Sequence, residues 1–375
     1  MWKDLPFDVL ATIFSYLPPD SLARAGSACR HWHACARAYP LSLTPSSPNH
    51  HRHPPWFVAL PVRNQTQSCY VHNPIQGNWH SLSLDFLPDP VRLVGSVGGL
   101  LLLRATNCTT LHLLVCNPFT RQYKQLPALN IPRSNPAVGV VAVHSTRCVP
   151  FSCFRVYVAG GMSEAPCGSG ATYESTLEMY DSGDDTWRVA GSVPVEYAVR
   201  LTVWTPNDGV YSDGLLYWIT SARAYTSMGY DIGSNTWSEL RVPMADKLEF
   251  AALAWRSGKL TLVGGRCGGD AAGIWELGRG DNWEMVEKVP VEMGTKFVGE
   301  KESWAATKCA ASEGGIYLYK DLGSAMIVWK QIGDQANSKW DWFWIEGCGA
   351  VGPKLLPNLH IKASLIQPNL ARSSF

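Results

Sequence analysis

Apolar side chains recur every fourth residue at the start of the chain: Leu5, Val9, Ile13 and Leu17, with Leu10 and Phe14 beside them. That spacing predicts a helix with a broad apolar stripe. Pro6 suits its first turn, where a missing N–H costs nothing. Pro18 and Pro19 end it, because the residue before a proline is pushed out of the helical region. Asp20 or Ser21 then offers an N-cap for a second short helix carrying Leu22 and Ala25. Cys29, Trp32 and Ala36 place a third. Three such helices make a core that is marginal alone. Two arrangements stay open: a cap packed on the rest of the chain, or a docking module that completes its core with a partner's helices.

The pattern then changes. Residues 42–55 read SLTPSSPNHHRHPP, a stiff polar linker. His50, His51 and His53 have no Cys or carboxylate among them, so solvated linker fits them better than a metal tract. From Trp56 onward, short β-branched and aromatic runs alternate with Gly, Asn-Pro and Asp turns, and one unit recurs. A strand, often after a glycine pair, is followed by a second strand, a turn opened by Asn or Asp, and an aromatic. The aromatics are Trp79, Tyr123, Trp187, Trp237, Trp283 and Trp340, spaced 44 to 64 residues apart. A period of about 50 residues is that of four-stranded propeller blades. No single blade can bury both its faces, so the copies must close into a ring. The expected architecture is therefore multidomain, α plus all-β: a helical module over residues 1–41, the linker, and a propeller over 56–346. Six blades are expected, with seven the alternative. Residues 347–375 are a tail, part of which can supply a closing strand.

Composition narrows the class. With 46% hydrophobic and 17% charged residues, the chain can bury a sizeable core. A net charge of +1 gives no bulk electrostatic reason for nucleic-acid or membrane-surface binding. No apolar run is long enough to span a bilayer, and the interrupted N-terminus makes a poor signal peptide. The 11 cysteines are scattered without a CxxC pair, so neither a disulfide framework nor a zinc site is expected. Reduced thiols imply a cytoplasmic or nuclear protein, in which the N-x-T sequons at Asn64 and Asn107 have no role.

Two resemblances carry the functional reading. Leu5-Pro6, Asp8-Val9-Leu10, Ile13, Leu17-Pro18, Ser21-Leu22, Arg24 and Cys29-Arg30-x-Trp32 resemble the F-box motif, in order and without a gap. Gly26 and Ala28 stand where that family carries larger residues. Asn117-Pro118-Phe119-Thr120-Arg121, Asp181-Ser182-x-x-Asp185-Thr186-Trp187 and Asp231-Ile232-Gly233-x-x-Thr236-Trp237 are similar to the repeats of plant F-box/kelch-repeat proteins. The resemblance implies a non-catalytic substrate adaptor of an SCF ubiquitin ligase. Its partners would be a Skp1-like protein, through it cullin-1/RBX1, and a protein target. Leu5, Pro6, Leu10, Ile13, Leu17, Pro18, Leu22 and Trp32 would face Skp1, although some of them must build the module's own core.

Nothing in the sequence points to bond chemistry or a cofactor: P-loop, GxSxG and HExxH motifs do not occur. Gly264-Gly265-Arg266-Cys267-Gly268-Gly269 falls in a blade turn and is not read as a phosphate cradle. Target binding is expected on loops. Arg200, Trp204, Arg223, Tyr225, Arg266 and Trp304 lie in or near such loops, and exposed Trp and Arg anchor interfaces. The competing reading is a propeller scaffold, or a small-molecule or carbohydrate binder, without a ubiquitination role.

Overall fold

The computed structural model describes residues 5–38, 54–62, 67–143, 153–164, 170–203, 209–266, 272–299, 303–333, 339–351, 354–356 and 358–371. Three N-terminal helices precede a six-bladed β-propeller. The helices are α1 (Phe7–Ser15), α2 (Pro19–Ala28) and α3 (Arg30–Ala38). Leu10, Phe14, Leu22, Cys35 and Ala36 form their buried core. One expectation needs correction: Asp20 does not cap α2. Pro18 occupies the cap position and Pro19 opens the helix. Asp20 sits in the first turn, where its charge meets the positive end of the helix dipole and pairs with Arg24 at 2.8 Å. The linker histidines lie outside the described residues.

Each of the six sequence units is a four-stranded antiparallel blade. The spare aromatic sits first or second in every outermost strand, as in Asn78–Ser83, Thr186–Ser192 and Thr236–Arg241. The turn into that strand is built the same way in four blades. Asn73, Asn117, Asp181 and Asp231 each accept backbone N–H bonds on Oδ1 from two or three residues ahead. Four residues after each, Gly77, Arg121, Asp185 and Asn235 take positive φ. A short carboxamide or carboxylate mimics the backbone acceptor there, and this reverses the chain.

The outer aromatic links each blade to the one before it. The indole N–H of Trp187 donates to Pro127 O at 2.7 Å, that of Trp237 to Ser192 O at 2.8 Å, and that of Trp283 to Arg241 O at 2.8 Å. Trp79 of blade 1 reaches Glu346 O at 3.2 Å, across the seam to blade 6. Blade 6 uses a variant: Arg256 of blade 5 lies 4.7 Å from the ring centroid of Trp340.

The ring closes with a strand from the far end of the chain. Ile361–Ile366 is the innermost strand of blade 1 and pairs with Trp56–Pro61 from Trp56↔Ile366 to Pro61↔Ile361. Ser96 of blade 2 then donates to Leu365 O at 2.7 Å. Cys153 is disulfide-bonded, which departs from the expectation of reduced thiols throughout. Cys29, Cys35, Cys69, Cys108, Cys116, Cys309 and Cys348 are free. Among the described residues no helix is long and apolar enough to cross a membrane.

Candidate functional site

Strand order assigns the two ends of the ring. Turns between third and fourth strands lie at one end; loops between second and third strands, and the links between blades, lie at the other. Gln76, in the turn after Asn73, hydrogen-bonds Asp20 of α2. Residues after the closing strand run beneath blade 2, where Asn117 Nδ2 donates to Asn369 O at 2.8 Å. Leu370 then packs on the helical core. The three helices therefore sit on the turn end.

On α1 the apolar positions divide. Leu10 and Phe14 face inward, while Val9, Ile13 and Tyr16 are 42%, 39% and 58% exposed. Spacings of four and three put those three on one stripe. Of the eight residues expected to meet a partner, Leu10 and Leu22 are the module's own core. Leu5, Leu17 and Trp32 pack partly on it. Pro18 is half-buried at the start of α2. Pro6 and Ile13 remain exposed. Val9 and Tyr16 complete the exposed stripe, and helical spacing from Ile13 was the signal that could have found them.

The loop end carries two further helices, α4 (Val195–Val203) and α5 (Val291–Val298), in the links after blades 3 and 5. Both begin Pro-Val-Glu, at Pro194 and Pro290, and both leave the valine largely exposed. They were not foreseen: eight or nine residues inside a loop give too short a period to register. Glycine pairs make room beneath them. At Gly160, with φ +65°, a Cβ would press on Ala198 O of α4; at Gly265 it would overlap the Trp304 ring. Gly264 and Gly265 are thus strand residues; Gly265 admits Trp304 and Gly264 lies against Leu248 and Phe250 O, which is the packing reason for this glycine pair.

All the nominated target-binding residues with a described position belong to this end, but their roles differ. Arg200 ties α4 to blade 4, pairing with Glu239 at 3.1 Å and hydrogen-bonding Thr226. Tyr225 donates its hydroxyl to Glu249 O at 3.2 Å. Trp304 is a correction: it is fully buried, stacked on Phe297 at 5.6 Å, with its backbone N–H on Glu249 Oε2 at 2.8 Å. It is core, not an exposed anchor. Arg223 and Arg266 are exposed. Trp204 lies outside the described residues.

Between the two ends runs the central channel, about 1090 Å³ and lined largely by small apolar residues of the inner strands, such as Val140, Ala251 and Ala310. Ser96 and Ser364 lie on its wall and hydrogen-bond each other at 2.7 Å. Among the described residues no group of three metal-ligating side chains occurs. A fully buried ion pair, Arg133–Glu178 at 2.5 Å, is structural. Glu178 accepts the backbone N–H groups of Asn130 and Ile131, and Arg133 donates to Thr176 O, so the pair pins the link between blades 2 and 3.

Residues 2–41 match the F-box-like domain family. Protein UNUSUAL FLORAL ORGANS of Arabidopsis thaliana is 21% identical over 383 residues, which is 93% of this chain and 79% of that protein. An F-box/kelch-repeat protein of the same plant is 24% identical over 370 residues, 92% of this chain and 84% of the other. A solved structure of a protein from Lactobacillus plantarum aligns with a TM-score of 0.43 and 9% identity, covering 82% of this chain and 99% of that one. The chain carries an F-box-like domain at its N-terminus, and over most of its length it is similar to plant F-box/kelch-repeat proteins.

Proposed function

We propose that this protein is a substrate-recognition adaptor of an SCF ubiquitin ligase, acting in the cytoplasm or nucleus. α1 docks a Skp1-type subunit and, through it, cullin-1 and RBX1. The loop end of the propeller holds the protein to be modified. The adaptor makes no bond itself; it raises the local concentration of a target lysine near the charged ubiquitin carrier. The observation that carries this reading is the exposed stripe of Val9, Ile13 and Tyr16 on a helix whose inward face is already filled. Exposed apolar side chains held in a row by a rigid helix are what a helix-in-groove contact uses.

The test is capture of a purified Skp1-type subunit by the full chain. Val9→Asp/Ile13→Asp is expected to weaken capture at least tenfold and to leave the melting temperature unchanged. Leu10→Ala removes a fully buried side chain, so it is expected to destabilise by about 2–5 kcal/mol. Full-strength capture by the double aspartate variant would sink the proposal.

A second reading, a small-ligand carrier, has the channel volume in its favour, since ligand sites span about 300–1,000 Å³. The Thr307 and Ser312 hydroxyls on its wall lack hydrogen-bond partners, but the F-box-like match over residues 2–41 supports docking, so we rank it below the adaptor. A ligand-induced rise in melting temperature would favour it.

A further inference from the structure

Arg92 and Arg104 stand directly opposite each other on the two innermost strands of blade 2, at the loop end. Register partners in an antiparallel pair project to the same side with Cβ atoms about 5 Å apart, and like charges so placed repel. Neither guanidinium has a carboxylate or hydrogen-bond partner among the described residues. The nearby Asp89 accepts instead from Asn107 Nδ2 at 2.7 Å. The two arginines share a cleft of about 310 Å³ where blades 1, 2 and 3 and α4 meet, with Asn135 and Lys362 also on its wall. A smaller hollow of about 90 Å³ adjoins it, lined by both arginines with Thr106 and Thr110. Among the described residues no carboxylate lines either one. Burial, and then the Arg92 charge, push the Arg104 guanidinium below its ordinary proton affinity.

Keeping two opposed arginines without a counter-charge costs stability in the free protein. A ligand that supplies the charge would remove that cost. We propose that the Arg92–Arg104 cleft binds an oxyanion carried on a protein segment, a phosphorylated side chain or closely spaced carboxylates. Arginine's planar fork suits both, because each presents two acceptor oxygens at the spacing of its N–H groups. The cleft lies at the end of the ring away from the three N-terminal helices, so its use in target choice rests on the adaptor reading; its chemistry does not.

The experiment uses the full chain and fluorescence anisotropy. The probes are a degenerate heptapeptide pool centred on phosphoserine, and the same pool with glutamate or serine at that position. Inorganic phosphate is the competitor. The phosphoserine pool is expected to bind, to be displaced by phosphate, and to bind at least tenfold more weakly to Arg92→Gln/Arg104→Gln. Arg188→Gln/Lys339→Gln removes the same charge from exposed positions on outer strands, and is expected to change binding less than twofold. Equal binding of the glutamate pool assigns the site to acidic segments; preference for phosphoserine assigns it to phosphorylated ones. Absence of binding to wild type, or equal loss in both double variants, overturns the proposal. Skp1-type capture is measured on the same preparations. Its loss from wild type with anion binding intact counts against the adaptor reading and not against the cleft.

Discussion

His72 is nearly fully buried, tilted against Trp79 at 5.2 Å, and its Nδ1 has no hydrogen-bond partner. Burial, reinforced by the Lys330 charge, pushes its pKa from the ordinary 6.5 down to about 4. The folded state therefore holds the neutral ring. Above pH 6.5 neither state is protonated and nothing is lost. As the pH falls towards 4, the unfolded chain takes up a proton that the folded chain refuses. The sign is thus acid destabilisation, reaching about 3 kcal/mol at pH 4 by linkage. Urea titrations at pH 7 and pH 4.5 are expected to show this loss in wild type and most of it removed in His72→Leu. An undiminished loss in the variant would place the acid sensitivity elsewhere. At this scale the sequence is only partly legible. Leu10 and Ile13 are both apolar and both belong to the helical motif, yet one is core and the other is surface. Which way each faces depends on how α3 packs. The Arg133–Glu178 pair is invisible for a different reason: its members are 45 residues apart, one in the link after blade 2 and one on a strand of blade 3.

Elements were read more easily because their signals repeat. The Asn and Asp turns recur because each blade needs the same reversal, and the aromatics recur because each outer strand must reach the previous blade. Those tryptophans therefore have two separable roles, area and hydrogen bond. Trp237→Phe keeps most of the packing against Trp218 and Tyr230 and removes the N–H bond to Ser192 O. A loss of about 1 kcal/mol is expected, whereas Trp237→Ala is expected to lose about 3–5 kcal/mol. Chemical denaturation of the two variants separates the terms; equal losses would mean that the hydrogen bond carries nearly everything. The inserted helices α4 and α5 escaped notice because blade repetition says nothing about what lies between blades.

The whole molecule is a ring whose first and last strands share one sheet. The blade count was legible, since six aromatics mark six outer strands. The identity of the closing strand was not, because Ile361–Ile366 carries no turn or aromatic of its own and is defined only by its pairing to Trp56–Pro61. Removing residues 361–371 would leave the wholly buried strand Trp56–Pro61 with one bare edge, and such edges pair with other chains. The truncated protein is expected to lose its single cooperative melting transition and to elute as aggregates in size-exclusion chromatography. A monomer melting at the wild-type temperature would show that the ring does not need this strand.

Leu370 gives that closure a second meaning. The side chain that packs on the helical core is synthesised only after nearly all of the propeller has left the ribosome. Residues 5–38 emerge first and wait for it. A nascent or broken-off chain then presents α1 on a module that lacks the Leu370 contact, so the last turn of the chain after the ring closes is also the last piece of the helical core.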